Sequence, residues 1–555
     1  MGDMSQLPLV LTIVDTAAIQ QYVFGSNQLR HSVGASYLVH WATHDAVIEA
    51  LRPPEMGRSN VKADGTIDPA LWIERGDVDC ELVYMGGGNA VLLFREPRLA
   101  VTFTRALTTR ILDQAPGLGI VVTHVDMRWD LVHSAANDSL AQKVQAAIQA
   151  VNRKKMERSA TSSPLLGLSV TATCQYTGLP ASYDLKEQPD REYLRVSAEV
   201  AAKTDSQVVK AANQRLRTMV GDALPAEWDF VFDFEQLGVK NEFSFLAVVH
   251  ADGNGMGERV KHIAQRWSEP DQNRAYIAAM RAFSESIEAA AQKALHATVR
   301  DLVGAIQSGK LDKKVQVHAQ TLPFRPIVFG GDDITFVCDG RLGLSLCERY
   351  LHLLQQEVLD DKKQLYVRAG IALVKTHYPF AAAYGLAEEL AAEAKVIIRE
   401  QAKLGRGAEH SALDWHFGVT GIVDDIERIR VREFTLPKPG EGKLHMRPIL
   451  LGDCTGEWRT WNNFRQIAAA FGNPTGRWAG KRSKLKLLRE ALRRGPDVVR
   501  QFLAVYEPDA SLPALGGNPA EASKTGWDST ERCICFDAIE ALDFYVELPQ
   551  LEAKE

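Results

Sequence analysis

The sequence predicts an α+β fold in which one unit, a ferredoxin-like palm, occurs twice and is joined by a helical connecting domain and a mostly helical C-terminal domain. Three observations support this prediction. The order strand, helical stretch, hairpin, helix and strand occurs twice along the chain. A Gly-Gly turn marks the hairpin in each copy. A chain of 555 residues is also too long for a single compact core.

The order of elements gives the expected domain limits. We expect a first palm at 1–131, a connecting domain at 132–238, a second palm at 239–431 and the C-terminal domain at 432–555. The copies share their pattern more than their residues, so the repeat is visible in strand order and turn chemistry rather than in identity.

The composition is that of a globular protein. Apolar residues make up 46%, charged residues 24%, and the net charge is −6. These values exclude a collagen-like, coiled-coil or wholly disordered chain, and any contact with RNA or DNA must come from local basic patches. Seven scattered cysteines imply no disulfide framework, and no apolar run is long enough to span a membrane. We therefore expect a cytoplasmic protein without membrane contact.

The first copy has lost its hairpin carboxylates. Its opening strand ends at Asp15, its hairpin turns at Gly86-Gly87-Gly88-Asn89, and its last strand covers 119–125. Without partners, Asp15 is expected to be a strand-end cap. This copy is expected either to shape a second nucleotide pocket or to dock against the other copy.

The second copy keeps the same order and adds carboxylates. Its first strand, 245–252, ends at Asp252, and its hairpin turns at Gly330-Gly331-Asp332-Asp333. Its last strand covers 365–374. Between hairpin and last strand, apolar residues at three- and four-residue steps predict an amphipathic helix; they are Leu344, Cys347, Leu351, Leu354 and Val358.

Three carboxylates would meet at one edge of the second palm. Asp252 ends the strand that lies beside the hairpin carrying Asp332 and Asp333. Clustered carboxylates repel one another unless cations lie between them, and hard oxygen ligands favour Mg²⁺ or Mn²⁺. Two such ions are the device for in-line nucleotidyl transfer from a triphosphate to an attacking hydroxyl. The alternative is that the hairpin is only a turn.

Residues around the carboxylates suit a nucleotide. Gly253, Gly330 and Gly331 allow close approach of a bulky ligand and a backbone cradle for phosphates. Lys395 follows on a later helix and could reach a terminal phosphate, or be a solvated helix lysine. Asn254 could touch ribose or base, or be a plain turn residue.

In combination these motifs resemble the large polymerase/cyclase subunit of type III CRISPR effector complexes, the Csm and Cmr systems. Segments 245–257 and 327–337 look like that family's GGDEF/cyclase-like second palm, and hairpin 86–94 looks like its inactive first palm. Segment Ile19–Val39 is similar to the helix that opens the family's first palm. The likeness covers the two palms well and the rest of the chain loosely.

The resemblance implies synthesis of cyclic oligoadenylates from ATP with Mg²⁺ or Mn²⁺, switched on when target RNA pairs with a guide. The implied partners are CRISPR effector subunits, with crRNA and target RNA reached through the complex. Asp252, Asp332 and Asp333 match the family's metal and catalytic positions, and Ser284 lies near its adenine contact.

The chain departs from the family in two respects. Many members begin with an HD nuclease domain, whereas this chain begins at the first palm, and His44-Asp45 is a lone pair on an apparent helix. We therefore expect no DNA cleavage. The family's connecting domain often carries a four-cysteine zinc knuckle, but here Cys174 stands alone, so no structural zinc is expected.

Two basic segments are candidates for RNA contact. Arg477–Arg494 carries eight basic residues and one acid, with Trp478 interleaved, and a weaker patch joins 153–155 to Arg158. Each patch predicts either RNA-backbone binding or a solvated helix face.

The leading interpretation is a nucleotidyltransferase within a type III complex. The alternatives are a free-standing antiviral cyclic nucleotide synthase and a catalytically silent RNA-binding scaffold. Clustered carboxylates, which are costly to keep buried without a metal, argue against the scaffold.

Overall fold

The computed structural model describes most of the chain. The described residues are 8–129, 138–161, 170–186, 193–238, 244–418, 425–436, 442–507, 511–513, 515 and 521–549, without the side chains of 158–161. The predicted domain limits at 131/132 and 238/239 fall at stretches outside these ranges, and the limits stay predictions.

The first sheet is that of a ferredoxin-like palm. Its strands are β1 (Pro8–Ala17), β2 (Cys80–Gly86), β3 (Asn89–Phe94) and β4 (Gly119–Arg128). They lie in the order β2-β3-β1-β4 with antiparallel neighbours. The helices of this part are α1 (Ile19–Phe24), α2 (Leu29–Thr43), α3 (Asp45–Leu51) and α4 (Pro97–Gln114).

The connecting region is mainly helical, as predicted. Its helices are α5 (Leu140–Thr161), α6 (Ala198–Thr204) and α7 (Ser206–Val220). It also contains a short antiparallel pair, β5 (Tyr183–Leu185) with β6 (Leu194–Val196), and the strand β7 (Asp229–Phe230).

The second sheet repeats the first and extends it. Its strands are β8 (Phe245–Gly253), β10 (Phe324–Gly330), β11 (Asp333–Asp339), β12 (Val367–Lys375), β13 (Ala412–Gly418) and β14 (Ile449–Leu450). The order β10-β11-β8-β12 matches the first sheet, and β13 and β14 follow at the β12 edge. A separate strand, β9 (Thr321–Leu322), pairs with β7. The helices here are α8 (Met256–Arg266), α9 (Asn273–Gln307), α10 (Gly343–Gln356) and α11 (Phe380–Lys403).

The C-terminal region is helical and shares the core of the second palm. Its helices are α12 (Ile426–Glu433), α13 (Trp461–Gly472), α14 (Arg482–Leu492), α15 (Pro496–Tyr506), α16 (Ala522–Thr525) and α17 (Phe536–Ala541). Helix α12 crosses the predicted limit at 431/432, and β14 adds a strand to the second sheet from beyond that limit.

Both sheets are covered on both faces. Along β8, Ala247 and Val249 belong to the core shared with the C-terminal helices, whereas Leu246 and Val248 belong to the core shared with the first palm. Because alternate residues of a strand point to opposite faces, an apolar run without polar alternation is what such a strand requires. Within the described residues, no helix is both long and apolar enough to cross a membrane.

Two helix predictions need correction. The segment Ile19–Val39 is not one helix, since the chain leaves the helix between α1 and α2, where Asn27 Oδ1 accepts a hydrogen bond from Phe380 N–H at 2.9 Å. Gly25 ends α1, and the contact of Asn27 with α11 lies in the break. Val358 lies outside α10 and is 59% exposed, because the chain turns there to pair with Gln364.

Candidate active site

The fold brings the three predicted carboxylates to one edge of the second sheet. Asp252 lies near the end of β8, Asp332 lies in the β10–β11 turn, and Asp333 opens β11. Strands β8 and β11 are neighbours, with Ala251 opposite Ile334, so the turn lies beside the end of β8.

Asp252 already has a cationic partner. In the β8–β12 ladder it lies opposite Arg368, whose guanidinium forms an ion pair with its carboxylate. The same guanidinium donates to the Gly253 carbonyl and to Asn254 Oδ1, each at 3.3 Å. Arg368 therefore neutralises one of the three negative charges.

Asp333 lacks such a partner. Its Oδ1 is buried and accepts no hydrogen bond, although His250 Nδ1 lies 3.4 Å away. Burial, followed by the charges of Asp252 and Asp332, raises the pKa of Asp333 to about 8. Burial and Asp252 likewise raise the pKa of Asp332. Because 43% of the Asp333 side-chain surface is exposed, solvent screens part of this repulsion.

This donor set fits a hard divalent cation. Burial and the neighbouring carboxylates disfavour the charged forms of Asp332 and Asp333, and Mg²⁺ or Mn²⁺ bound to their oxygens would offset both effects. Asp252 would join this set by exchanging its ion pair with Arg368 for the cation.

The two Gly-Gly hairpins face each other across a cleft. A cavity of about 240 Å³ is lined by Gly330–Asp333 on one side and Gly86–Gly88 on the other. Side chains of α1, α2, α7 and α9 complete the walls. The hairpin of the first palm thus forms the wall opposite the carboxylates.

The first palm neutralises its remaining carboxylate with a lysine. Asp15 lies opposite Asn89 in the β1–β3 ladder, and Lys155 Nζ on α5 approaches Asp15 Oδ2 at 2.7 Å. Helix α5 packs against β1 and brings the lysine to Asp15, while the prediction of a strand-end cap stays a prediction.

The predicted nucleotide ligands take different places around the carboxylates. A Cβ on Gly253 would lie 2.6 Å from Asp332 Oδ2, so only glycine permits this packing. Asn254 donates to the His410 carbonyl at 3.1 Å, which favours its interpretation as a turn residue. Gly330 and Gly331 line the cleft, and Gly331 has a positive φ of 63°.

Lys395 and Ser284 lie beside different parts of the site. The charge of Arg368 lowers the pKa of Lys395, while Asp252 opposes this effect, so the ammonium lies within the field of the carboxylates. Ser284 Oγ donates to the Met85 carbonyl at 3.3 Å, beside the first hairpin rather than the second.

The sequence did not single out several neighbours of the carboxylates. His250 lies two residues before Asp252, so both side chains point to the same face of the strand. This spacing could have predicted that His250 lies near the carboxylates. The contact of Arg368 with Asp252 could be predicted only from the register of β8 against β12, which no local sequence pattern gives. On α11, Glu388 Oε1 accepts from Gln20 Nε2 at 2.8 Å. This contact could not be predicted without knowing how the first palm docks on the second.

The prediction that His44-Asp45 is a lone pair on a helix is wrong. His44 lies at the break between α2 and α3 rather than inside a helix, and His40 joins the pair. One ligand atom from each of these three residues lies within 4.8 Å of the other two. The i, i+4 spacing of the two histidines was visible in the sequence, but the helix break was not.

Much of the basic charge in the two predicted patches is used within the protein. Lys481 and Lys484 each approach Glu507 at 2.7 Å, and Arg482 pairs with Asp543. Trp478 is buried, so it does not interleave with these charges on a surface. Binding of RNA by this segment stays a prediction.

Cys174 is buried in a small apolar cluster with Val196 and Val200. The expected lack of a structural zinc stays a prediction.

In the weaker basic patch, Lys154 Nζ donates to the Val122 carbonyl at 2.9 Å.

Solved structures with the same fold come from the Csm1–Csm4 cassette. A chain of the apo cassette matches with a TM-score of 0.52 and 13% identity over 96% of this chain and 69% of that chain. Chains of the cassette in complex with cA3 and with AMPPNP each match with a TM-score of 0.52 and 14% identity, over 97% of this chain and 70% of theirs. The resemblance seen in the sequence is thereby confirmed at the level of the fold. No family model and no curated protein matches the sequence.

Proposed function

We propose that this protein is a metal-dependent nucleotidyltransferase that makes cyclic oligoadenylates from ATP within an RNA-guided type III CRISPR complex in the cytoplasm. One observation carries the proposal: the buried Oδ1 of Asp333 accepts no hydrogen bond, beside Asp332 and at the edge of a cleft between two Gly-Gly hairpins. The choice of adenine is supported by the cassettes of the same fold, which were solved with cA3, AMPPNP and ATP.

In this proposal the carboxylates of the site bind metal ions and its cations bind the phosphates. Asp332 and Asp333, joined by Asp252, would hold Mg²⁺ or Mn²⁺. When bound, these ions lower the pKa of the attacking hydroxyl and stabilise the triphosphate. Lys395 would contact the phosphates, and His250, whose Nδ1 lies 3.4 Å from Asp333 Oδ1, would support that carboxylate.

The proposed partners are other CRISPR subunits and, through them, crRNA and target RNA. Cassettes of the same fold pair Csm1 with Csm4, which supports a protein partner of that kind. Direct RNA contact would use basic side chains around α14 that lie apart from the Glu507 pairs, such as Lys486.

The test is a product assay with labelled nucleoside triphosphates and Mn²⁺, resolved by mass. The purified chain is assayed alone and then with partner subunits, guide and matching target RNA. We expect cyclic oligoadenylate from the complex and none from Asp332→Asn/Asp333→Asn, with exposed Asp271→Asn as the matched control. Full product from the double variant would disprove the site, and product from the chain alone would favour a free-standing synthase.

A silent scaffold is the second candidate, favoured by the ion pair between Asp252 and Arg368. If Arg368 never releases Asp252, the metal site stays incomplete. The complex would then assemble on RNA with no product from any nucleotide, and the wild type and the double variant would behave alike.

A further inference from the structure

Three ligand-type side chains converge where α2 meets α3. His40 lies in the last turn of α2, His44 follows its end, and Asp45 begins α3. The rings of His40 and His44 stack with centroids 5.1 Å apart and an interplanar angle of 21°. His44 Nδ1 lies 2.8 Å from Asp45 Oδ1.

The local backbone explains this convergence. Residues four apart share one face of a helix, which places the two imidazoles together. The N–H of His44 bonds to the His40 carbonyl at 2.9 Å, and His44 then leaves helical geometry with φ −123° and ψ −80°. The break returns the Asp45 carboxylate towards the imidazoles instead of carrying it around a continuous helix.

We propose that His40, His44 and Asp45 bind a divalent transition-metal ion of the zinc class. Two imidazoles and one carboxylate form the ligand set of protein zinc sites that keep an open coordination position. Imidazole ligands favour zinc-class ions, whereas the all-carboxylate set at Asp332 and Asp333 favours Mg²⁺ or Mn²⁺. In the part of the chain that the structure describes, no other three His, Cys, Asp or Glu side chains bring their ligand atoms as close together.

The position of the site connects it to the cleft. His40 and His44 line the same cavity as Asp332 and Asp333, so the open coordination position is accessible from the cleft. Arg215 and Glu288 line it as well, and the charge of Glu288 offsets that of Arg215, which would otherwise oppose a cation. An effect of the ion on bound nucleotide rests on the proposed function, whereas binding of the ion does not.

The test measures Zn²⁺ binding by the full-length protein against a chromophoric chelator. We expect one tight Zn²⁺ per chain in the wild type and at least about tenfold weaker binding in His40→Ala and His44→Ala, since losing even a supporting partner costs that much. The matched control is His377→Ala, at an exposed position after β12, which should bind as the wild type does. Excess Mg²⁺ should not compete.

Two further variants keep the test decisive. Asp45→Asn preserves size and should weaken Zn²⁺ binding with the far-UV circular dichroism unchanged, even if a histidine variant fails to fold. Asp332→Asn/Asp333→Asn should keep the tight Zn²⁺, which separates this site from the palm carboxylates. Equal Zn²⁺ affinity in His40→Ala, His44→Ala, Asp45→Asn and the wild type would mean an adventitious ion only and would overturn the proposal. So would loss of the tight Zn²⁺ in the palm double variant alone.

Discussion

Arg274 of α9 donates to both carboxylate oxygens of Glu81 on β2, at 2.5 and 2.6 Å. Glu81 is fully buried, and Glu74 pairs with the same guanidinium. The Glu81 carboxylate also accepts from Arg281 and from the Ile73 N–H at 3.0 Å. This network joins the first sheet to the long helix of the second palm.

Glu81→Ala should lower the stability of the contact between the palms. Without Glu81, the guanidinium groups of Arg274 and Arg281 would keep only Glu74 of the two buried carboxylates, and breaking a buried ion pair costs up to about 3–5 kcal/mol. We expect a lower thermal midpoint by calorimetry, with exposed Glu55→Ala as the control. An unchanged midpoint would show that Glu74 alone satisfies Arg274.

His31 should make stability depend on pH. Burial, assisted by Arg30 and Lys203, lowers its pKa to about 3, against an ordinary value of 6.5. Below pH 6.5 the unfolded chain therefore takes up a proton that the folded protein excludes, and stability falls as the pH falls. Between pH 6.5 and about 5, the free energy of unfolding measured in urea should depend less steeply on pH in His31→Gln than in the wild type. The difference corresponds to the uptake of one proton. Equal slopes in both proteins would contradict the prediction.

Arg368→Gln should strengthen Mn²⁺ binding at the palm carboxylates. The substitution frees Asp252 from its ion pair, and a pair worth up to about 1 kcal/mol corresponds to a gain of about twofold to fivefold. Electron paramagnetic resonance of free Mn²⁺ gives the affinity. The control is Arg399→Gln, which removes a nearby positive charge on α11 that is not paired with Asp252. An equal gain in Mn²⁺ affinity in this variant would mean that net charge, and not the release of Asp252, strengthens binding.

Lys395→Met should weaken ATP use through KM more than through kcat. Loss of a charge-assisted contact to phosphate costs about tenfold or more in KM. Initial rates in the active complex would measure it, and Lys403→Met in the last turn of α11 is the matched control. A fall in kcat at constant KM would place Lys395 outside substrate binding.

The sequence by itself determined the repeated palm, its strands and the place of the carboxylates. Strand 245–252 and turn Gly330–Asp333 could be predicted because apolar runs and Gly-Gly turns are local signals. The ferredoxin-like order follows from them, since few sheets accommodate that sequence of elements without crossed connections.

Tertiary structure decided the partners of those carboxylates. Arg368 meets Asp252, and Lys155 meets Asp15, through strand register and helix docking over more than a hundred residues. By contrast, His40 meets the His44-Asp45 pair within one local stretch, where α2 ends and α3 begins. Charge pairing and ligand geometry depend on distances in space, which a linear pattern fixes only within one strand, turn or helix.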